Sequence, residues 1–306
     1  MTLHHKYRPK TIKNIVGNKA AITTLGGFVK NDAIPHCMMF VGESGCGKTT
    51  LARIMRRVLK CSDDDYTEIN TADFRGVDTA RSIMRQMRAK PINGDTRVWL
   101  IDECHKLTND AQNALLKALE DPPEHVYFML ATTESNKLLR TIQTRATEIK
   151  VKPLSRKEMA TLIERTIEAE DAKVPDEVVD KINDLADGSP RKALVMLDQV
   201  IFLEEDKMLD ALSASEPNKE AIDLCRAMLR GAGWKEVSAI LRAIDGLEAK
   251  AEGIRRIVCA YMAKVVINNG KNTGLALEII QAFEDNFFDS GIAGLALACY
   301  RAIDVE

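Results

Sequence analysis

"GESGCGKT", residues 42–49, decides the fold. It fits G-x-x-x-x-G-K-[ST], a glycine-rich turn closed by a lysine and a hydroxyl residue. Gly42, Gly45 and Gly47 let the backbone curl so that its N–H groups point at phosphate oxygens; side chains there would block the approach. The helix predicted from Lys48 onward adds its positive N-terminal end. Lys48 is expected to reach the β- and γ-phosphates of ATP, and the Thr49 hydroxyl to bind Mg²⁺. Glu43, Ser44, Cys46 and Thr50 complete the predicted ATP-binding loop. A chance match arises in roughly one chain in a hundred of this length. The flanks make chance a poorer account still. "MMFV" (38–41) reads as a strand and "TTLARIMRRVLK" as a helix, the context in which the motif works.

The same alternation continues outward. "YTEINT", "RVWLID", "VYFMLATT" and "ATEIKV" read as strands, and helical patterns follow the first three. Strands alternating with helices predict βαβ units and a mostly parallel sheet with helices on both faces. Ligands on such sheets bind beyond the carboxyl ends of the strands. "VWLIDECHK" (98–106) delivers Asp102 and Glu103 to such an end. Asp102 is expected to hold Mg²⁺, and Glu103 to orient and polarise an attacking water. Capping of the next helix is the bland alternative for either carboxylate. His105 reads as a plain surface or helix-start residue.

Near Pro153 the pattern changes, and almost no strand signal follows. Ser155 and Glu158 form a capping box for a helix running to about Glu170. Pro175 opens a second helix that ends near Gly188. Ser189 and Pro190 are an N-cap and first-turn proline for a third. Beyond about Asp206 come further amphipathic helices, among them "GIRRIVCAYMAKVVIN" and "GIAGLALACYRAI". The expected fold class is an α/β P-loop nucleotide hydrolase with a parallel sheet (1–152), a small helical lid (153–205) and an all-α domain (206–306).

Composition excludes several other classes. The 306 residues carry 43 Lys and Arg against 45 Asp and Glu, so any nucleic-acid contact must come from a local patch. The apolar runs are too short to span a bilayer, and the N-terminus shows no secretory h-region. Seven scattered cysteines without a C-x-x-C pair predict reduced thiols in a cytoplasm, and no zinc framework.

Three further places invite chemistry. "FMLATTES" (128–135) ends a strand in two threonines, either a γ-phosphate contact or merely two β-formers. Arg145, in "TIQTRATEIK" (141–150), sits between a helix and a short strand. Burial is costly for an unpaired arginine, so Arg145 is expected to be exposed, as a solvated side chain or as an arginine finger for a neighbouring subunit. Arg191, in the first turn of its helix, opposes the macrodipole; contact with nucleotide phosphates would explain it. "FRGVDTARSIMRQMRAK" (74–90) is locally basic. Arg81, Arg85 and Arg88 fall at i, i+4 and i+7 on one helical face, a solvated face unless phosphates track along it.

Phosphate loop, "IDECHKL", "NALLKALEDPPEHVYFMLATTE", "TIQTRA" and "GSPRKAL" come in one order at one set of spacings. Over about residues 4–202 the chain resembles the AAA+ ATPase subunits of sliding-clamp loaders, such as bacterial tau/gamma and the small subunits of replication factor C. The resemblance implies a RecA-like AAA+ domain followed by a lid and an oligomerisation collar. It implies that Thr133 is sensor 1, Arg145 the finger acting in trans, and Arg191 sensor 2. Tyr7, Arg8, Pro9 and Val16 would lie by the adenine. Arg75, Arg81 and Arg85 would face primer–template DNA. The implied activity is ATP hydrolysis, stimulated by DNA and clamp, within an assembly of about four such copies plus one different subunit. A ring helicase or branch-migration ATPase, or a structural loader subunit without turnover, are the alternatives. Two departures stand out: Ala146 replaces the family's usual cysteine, and the four-cysteine zinc module of bacterial members is missing. The second points to a phage-type or archaeal-type subunit.

Overall fold

The computed structural model describes residues 1–71, 76–214, 219–268 and 272–303. The chain forms two compact units, Met1–Leu212 and Ser213–Glu306.

The first unit is built on five parallel strands: β1 (Cys37–Val41), β2 (Tyr66–Asn70), β3 (Arg97–Asp102), β4 (Val126–Thr132) and β5 (Thr147–Lys150). Their order is β2-β3-β4-β1-β5. β1 thus lies beside β4, and β4 beside β3. Register aligns the carboxyl ends, with Val41 opposite Thr132 and Asn70 opposite Asp102. Successive side chains on a strand point to opposite faces, and the core follows that rule. Met38, Phe40, Val98 and Leu100 pack on one face against Leu25 of α2 (Lys19–Lys30) and Leu51 and Met55 of α3 (Lys48–Val58). Met39, Trp99, Ile101 and Phe128 pack on the other, against Ile83 of α4 (Val77–Gln86) and Leu115 of α5 (Asn109–Glu120). A four-residue α1 (Leu3–Lys6) precedes these helices, and α6 (Arg140–Gln143) leads into β5.

Beyond β5 the helices start where local chemistry starts them. α7 (Arg156–Ala169) opens on a full capping box of Ser155 and Glu158. α8 (Asp176–Ala186) follows Pro175, and α9 (Pro190–Val200) has Ser189 as N-cap, its hydroxyl accepting from Lys192 N. Ile163, Ile182 and Leu197 from these three helices share a core with Met208 and Leu212 of α10 (Glu205–Ala214). The division between units therefore falls within α10 rather than at its start.

The second unit contains α11 (Lys219–Leu229), α12 (Trp234–Ala243), α13 (Leu247–Ile267), α14 (Thr273–Ala282) and α15 (Gly291–Ile303). Met228, Val237, Val258, Met262, Phe283 and Leu295 form its core. α13 begins six residues before the stretch expected from sequence, because Gly246 in a left-handed conformation starts it. Among the described residues no helix is long and apolar enough to cross a membrane.

One buried ion pair ties the sheet edge to the loop before β3. Asp65, 1 % exposed, accepts from Arg97 (3.1 Å), from the Ile92 and Asn93 backbone N–H groups (2.7 and 3.0 Å) and from the Ser62 hydroxyl (2.7 Å). Burial alone would raise its pKa, but these donors outweigh burial and hold it well below the usual carboxylate range. The resulting stabilisation is present above the unfolded pKa of about 3.9 and is lost as pH falls towards the folded value. Asp65→Ala should cost about 3–5 kcal/mol in thermal or denaturant unfolding, because it strands Arg97. Asp65→Asn should flatten the acid limb of the stability–pH curve below about pH 4.

Candidate nucleotide site

The carboxyl ends of β1 and β3 meet the start of α3, the N-terminal stretch and the first turn of α9 around one cavity. Ser44, Gly45, Cys46, Gly47, Lys48, Thr49 and Thr50 line it from the phosphate loop, and Asp102 and Glu103 from β3. Tyr7, Arg8, Pro9, Val16 and Arg191 line it from the remaining sides. Gly42 and Glu43 contribute from behind. Lys48 is only 5 % exposed, and its ammonium donates to their carbonyls at 2.9 and 2.8 Å, which holds the amine across the loop. Gly47 caps α3 at φ 112°, a conformation that disfavours a side chain. Gly45 has a further reason to be glycine: a Cβ there would collide with the Ser189 hydroxyl, so the loop and the α9 N-cap can approach this closely only without it.

The Thr49 hydroxyl donates to Asp102 Oδ2 at 2.9 Å. Asp102 Oδ1 accepts from the Glu103 N–H at 3.0 Å. Two hard oxygens this close, opening on a cavity of backbone donors, fit Mg²⁺, which takes few protein ligands and leaves the rest to water and phosphate. Among the described residues no group of three or more His, Cys, Asp or Glu side chains could hold a metal. Glu103 has a left-handed backbone, φ 52°. Such strain persists where the surroundings over-determine it, and here Thr71 does so. The Thr71 hydroxyl lies 2.6 Å from the Glu103 carbonyl and 3.0 Å from that of Asp102, and its N–H donates to Asp102 O at 3.1 Å.

His105 departs from the expectation. It lies within a short 3-10 turn, Cys104–Lys106, but its side chain is only 6 % exposed. Nδ1 lies 3.1 Å from Thr132 Oγ1 and 3.5 Å from Glu103 Oε2, and Nε2 lies 3.5 Å from Glu134 Oε1. The β4 tip beside β3 gives the imidazole a polar shelf, which no local pattern announces.

Part of the cavity wall was invisible in sequence. His4, Asn18, Leu154, Leu162 and Leu194 line it. Asn18 brackets Lys152, donating to its carbonyl (2.9 Å) and accepting from its N–H (2.7 Å). That bracket pins the N-terminal stretch to the segment leaving β5.

With this geometry in view, the similarities acquire weight. Residues 56–155 match the family model of the DNA polymerase III delta subunit. The chain is 34 % identical to the gamma/tau subunit of DNA polymerase III from Mycobacterium tuberculosis over 224 residues, 66 % of this chain and 39 % of that protein. It is 30 % identical to the tau subunit from Escherichia coli over 277 residues, 82 % and 42 % of the two chains. The chain belongs to the clamp-loader group of AAA+ proteins. It spans about two fifths of the length of these gamma/tau relatives. The Thermotoga maritima RuvB structure aligns with a TM-score of 0.59 and 20 % identity, over 81 % of this chain and 88 % of that one, a likeness of fold alone.

Some expected residues of this AAA+ chain lie elsewhere. Thr133 follows the last residue of β4, half-buried, and is not among the cavity's lining residues. Arg145 also lies outside the lining; it is 30 % exposed, paired with Glu120 and donating to the Thr141 carbonyl at 2.8 Å. The pair explains how an arginine can be partly covered without penalty. Arg81 and Arg85 are exposed on α4, while Ile83 on the same helix is buried. α4 ends at Gln86, so Arg88 lies beyond it. Arg75 lies outside the described residues.

Lys48→Ala removes the cation that the loop carbonyls hold in place. Charge-assisted hydrogen bonds are worth about 1.5–3 kcal/mol each, so ATP affinity should fall by about 100-fold or more in a fluorescent-nucleotide titration.

Proposed function

We propose that the chain is an ATPase subunit of a sliding-clamp loader, which uses ATP to open a ring clamp and place it on primer–template DNA. The observation that carries the reading is a division of charge. Lys48, Thr49, Asp102 and Glu103 share one cavity, whereas Arg145 lies outside it at the end of α6, where Glu120 and the Thr141 carbonyl hold it. A guanidinium so placed can serve a site on another copy better than its own.

In this reading Lys48 and the loop N–H groups bind the β- and γ-phosphates. Mg²⁺ bound at Thr49 and Asp102 would neutralise phosphate charge. Glu103, held by Thr71, orients and polarises the attacking water. Thr133 senses the γ-phosphate, and Arg191 reaches the phosphates from the lid. Tyr7, Arg8, Pro9 and Val16 enclose the adenine. Arg145 of one protomer enters the site of the next and stabilises transition-state charge.

Residues 1–152 are then the ATPase domain, 153–205 the lid and 206–306 the collar. The second unit leaves Trp234 and Tyr300 38 % and 45 % exposed and packed edge to face, with Leu297 also exposed, which suits a collar that meets other subunits. About four copies and one different subunit would form an open cytoplasmic spiral. Arg81 and Arg85, with Arg75, would track the DNA backbone inside it without reading sequence. ATP favours the spiral only so far as it binds the spiral more tightly than the separated arrangement.

Arg145→Ala should keep near-normal ATP binding and lose about 10³-fold or more of its DNA- and clamp-stimulated turnover in a phosphate-release assay. Mixing it with Glu103→Gln chains, whose fingers are intact, should restore part of that turnover. Full turnover by the Arg145→Ala protein alone would remove the trans reading.

A further inference from the structure

A second cavity, of about 370 Å³, opens beside the nucleotide site and shares Tyr7, Arg8 and Pro9 with its wall. The residues that line it and not the nucleotide cavity are Lys6, Lys10, Lys13, Arg165 and Thr166: four cations and one hydroxyl. No acidic side chain lines it among the described residues. Lys6 is paired, 2.7 Å from Glu170, whose carboxylate also takes the Tyr7 hydroxyl. Lys10, Lys13 and Arg165 are exposed and form no ion pair among the described residues. A chain with net charge −2 has acidic partners to spare, yet leaves these cations together without one.

We propose that this cavity binds the phosphate backbone of nucleic acid, as a second contact distinct from the α4 face. Clustered like charges repel one another, and a polyanion relieves that repulsion while releasing its own counterions. The cations come from three separate places, the stretch before Pro9 and just after it, the turn at Lys13, and α7. Cations offered from three segments suit a polyanion that can meet several of them at once. The apolar lining residues, Tyr7, Val16 and Leu162, all belong to the nucleotide cavity as well. An acidic peptide therefore finds no separate apolar anchor. The one aromatic residue in its lining, Tyr7, is half-buried with the Lys6 ammonium 5.4 Å from its ring centroid, which leaves little face for base stacking. The contact reads phosphates and not bases. It goes beyond the clamp-loader reading and stands without it.

The test uses the full chain with the triple variant Lys10→Gln, Lys13→Gln, Arg165→Gln. Binding of a short labelled single strand and of a duplex is followed by anisotropy from about 50 to 200 mM salt. Affinity should fall by about 10-fold or more at the low-salt end, and the slope of log affinity against log salt should shrink by about 2. A charge-matched control, Lys150→Gln, Lys173→Gln, Lys235→Gln, should keep both. Arg81→Ala, Arg85→Ala is measured in parallel, so loss on that face alone tests the loader reading and not this one. If thermal melting shows the triple variant unfolded, Lys13→Gln and Arg165→Gln singly carry the test, each shrinking the slope by about 0.8. The proposal is overturned by affinity within twofold of wild type with an unchanged slope, or by an equal loss in the charge-matched control. Loss of tripolyphosphate or polyglutamate binding with DNA binding intact overturns it as well.

Discussion

The Thr49 hydroxyl meets the Asp102 carboxylate across the tip of β4. Thr49 lies in the first turn of α3, which follows β1, and Asp102 ends β3; the two residues are 53 positions apart, and β1 and β3 do not pair with each other. The parallel sheet alone brings them within 2.9 Å, by setting β1 and β3 on either side of β4 with their carboxyl ends level. Every function proposed for the cavity depends on that meeting. The helix that follows β1 brings Lys48 and the loop N–H groups; the end of β3 brings Asp102 and Glu103. The strand between them is no mere spacer. Its last residue, Thr132, is buried, accepts from the Glu134 N–H and meets His105, which in turn lies 3.5 Å from Glu103 Oε2.

A second constraint closes the site from the other side. Three contacts stitch the N-terminal stretch, α9 and the sheet together: Asn18 with Lys152, Ser189 against Gly45, and the Leu3 N–H donating to Asp198 at 3.3 Å. They join parts of the chain more than a hundred residues apart around the cavity. The N-cap of α9 thus lies directly against the phosphate loop at Gly45, and Arg191, the second residue of that helix, lines the cavity.

A nearly neutral chain can still carry local positive patches. The positive charge is partitioned. Arg145 is held by Glu120 at the end of α6, Arg81 and Arg85 stand on α4, and Lys10, Lys13 and Arg165 gather around the second cavity. Other cations face acids directly, as at Arg53 with Glu68 and Arg156 with Asp180 and Asp184, and Arg81 itself lies 3.5 Å from Asp78. Local excess, and not net charge, decides what such a surface attracts.

Residues 42–49 and 98–103 by themselves determined the strand–turn–helix at the phosphate site and the carboxylates that face it. The reason is that both depend on local backbone chemistry: glycines in a turn, a helix N-terminus, a buried strand with an acidic end. Caps at Ser155 and Ser189 were legible for the same reason, since a cap needs only neighbours three residues away. Tertiary structure alone decided what lies far apart in sequence. His105 was read as a surface residue because nothing within its own stretch says that Thr132 and Glu134 will surround it. Thr71, Asn18 and Leu194 carried no signal, because a hydroxyl under a strained carbonyl, an amide bracket and an apolar wall each exist only once distant segments pack. The course of α10 was decided likewise, because Met208 and Leu212 find their partners in the core shared by α7, α8 and α9.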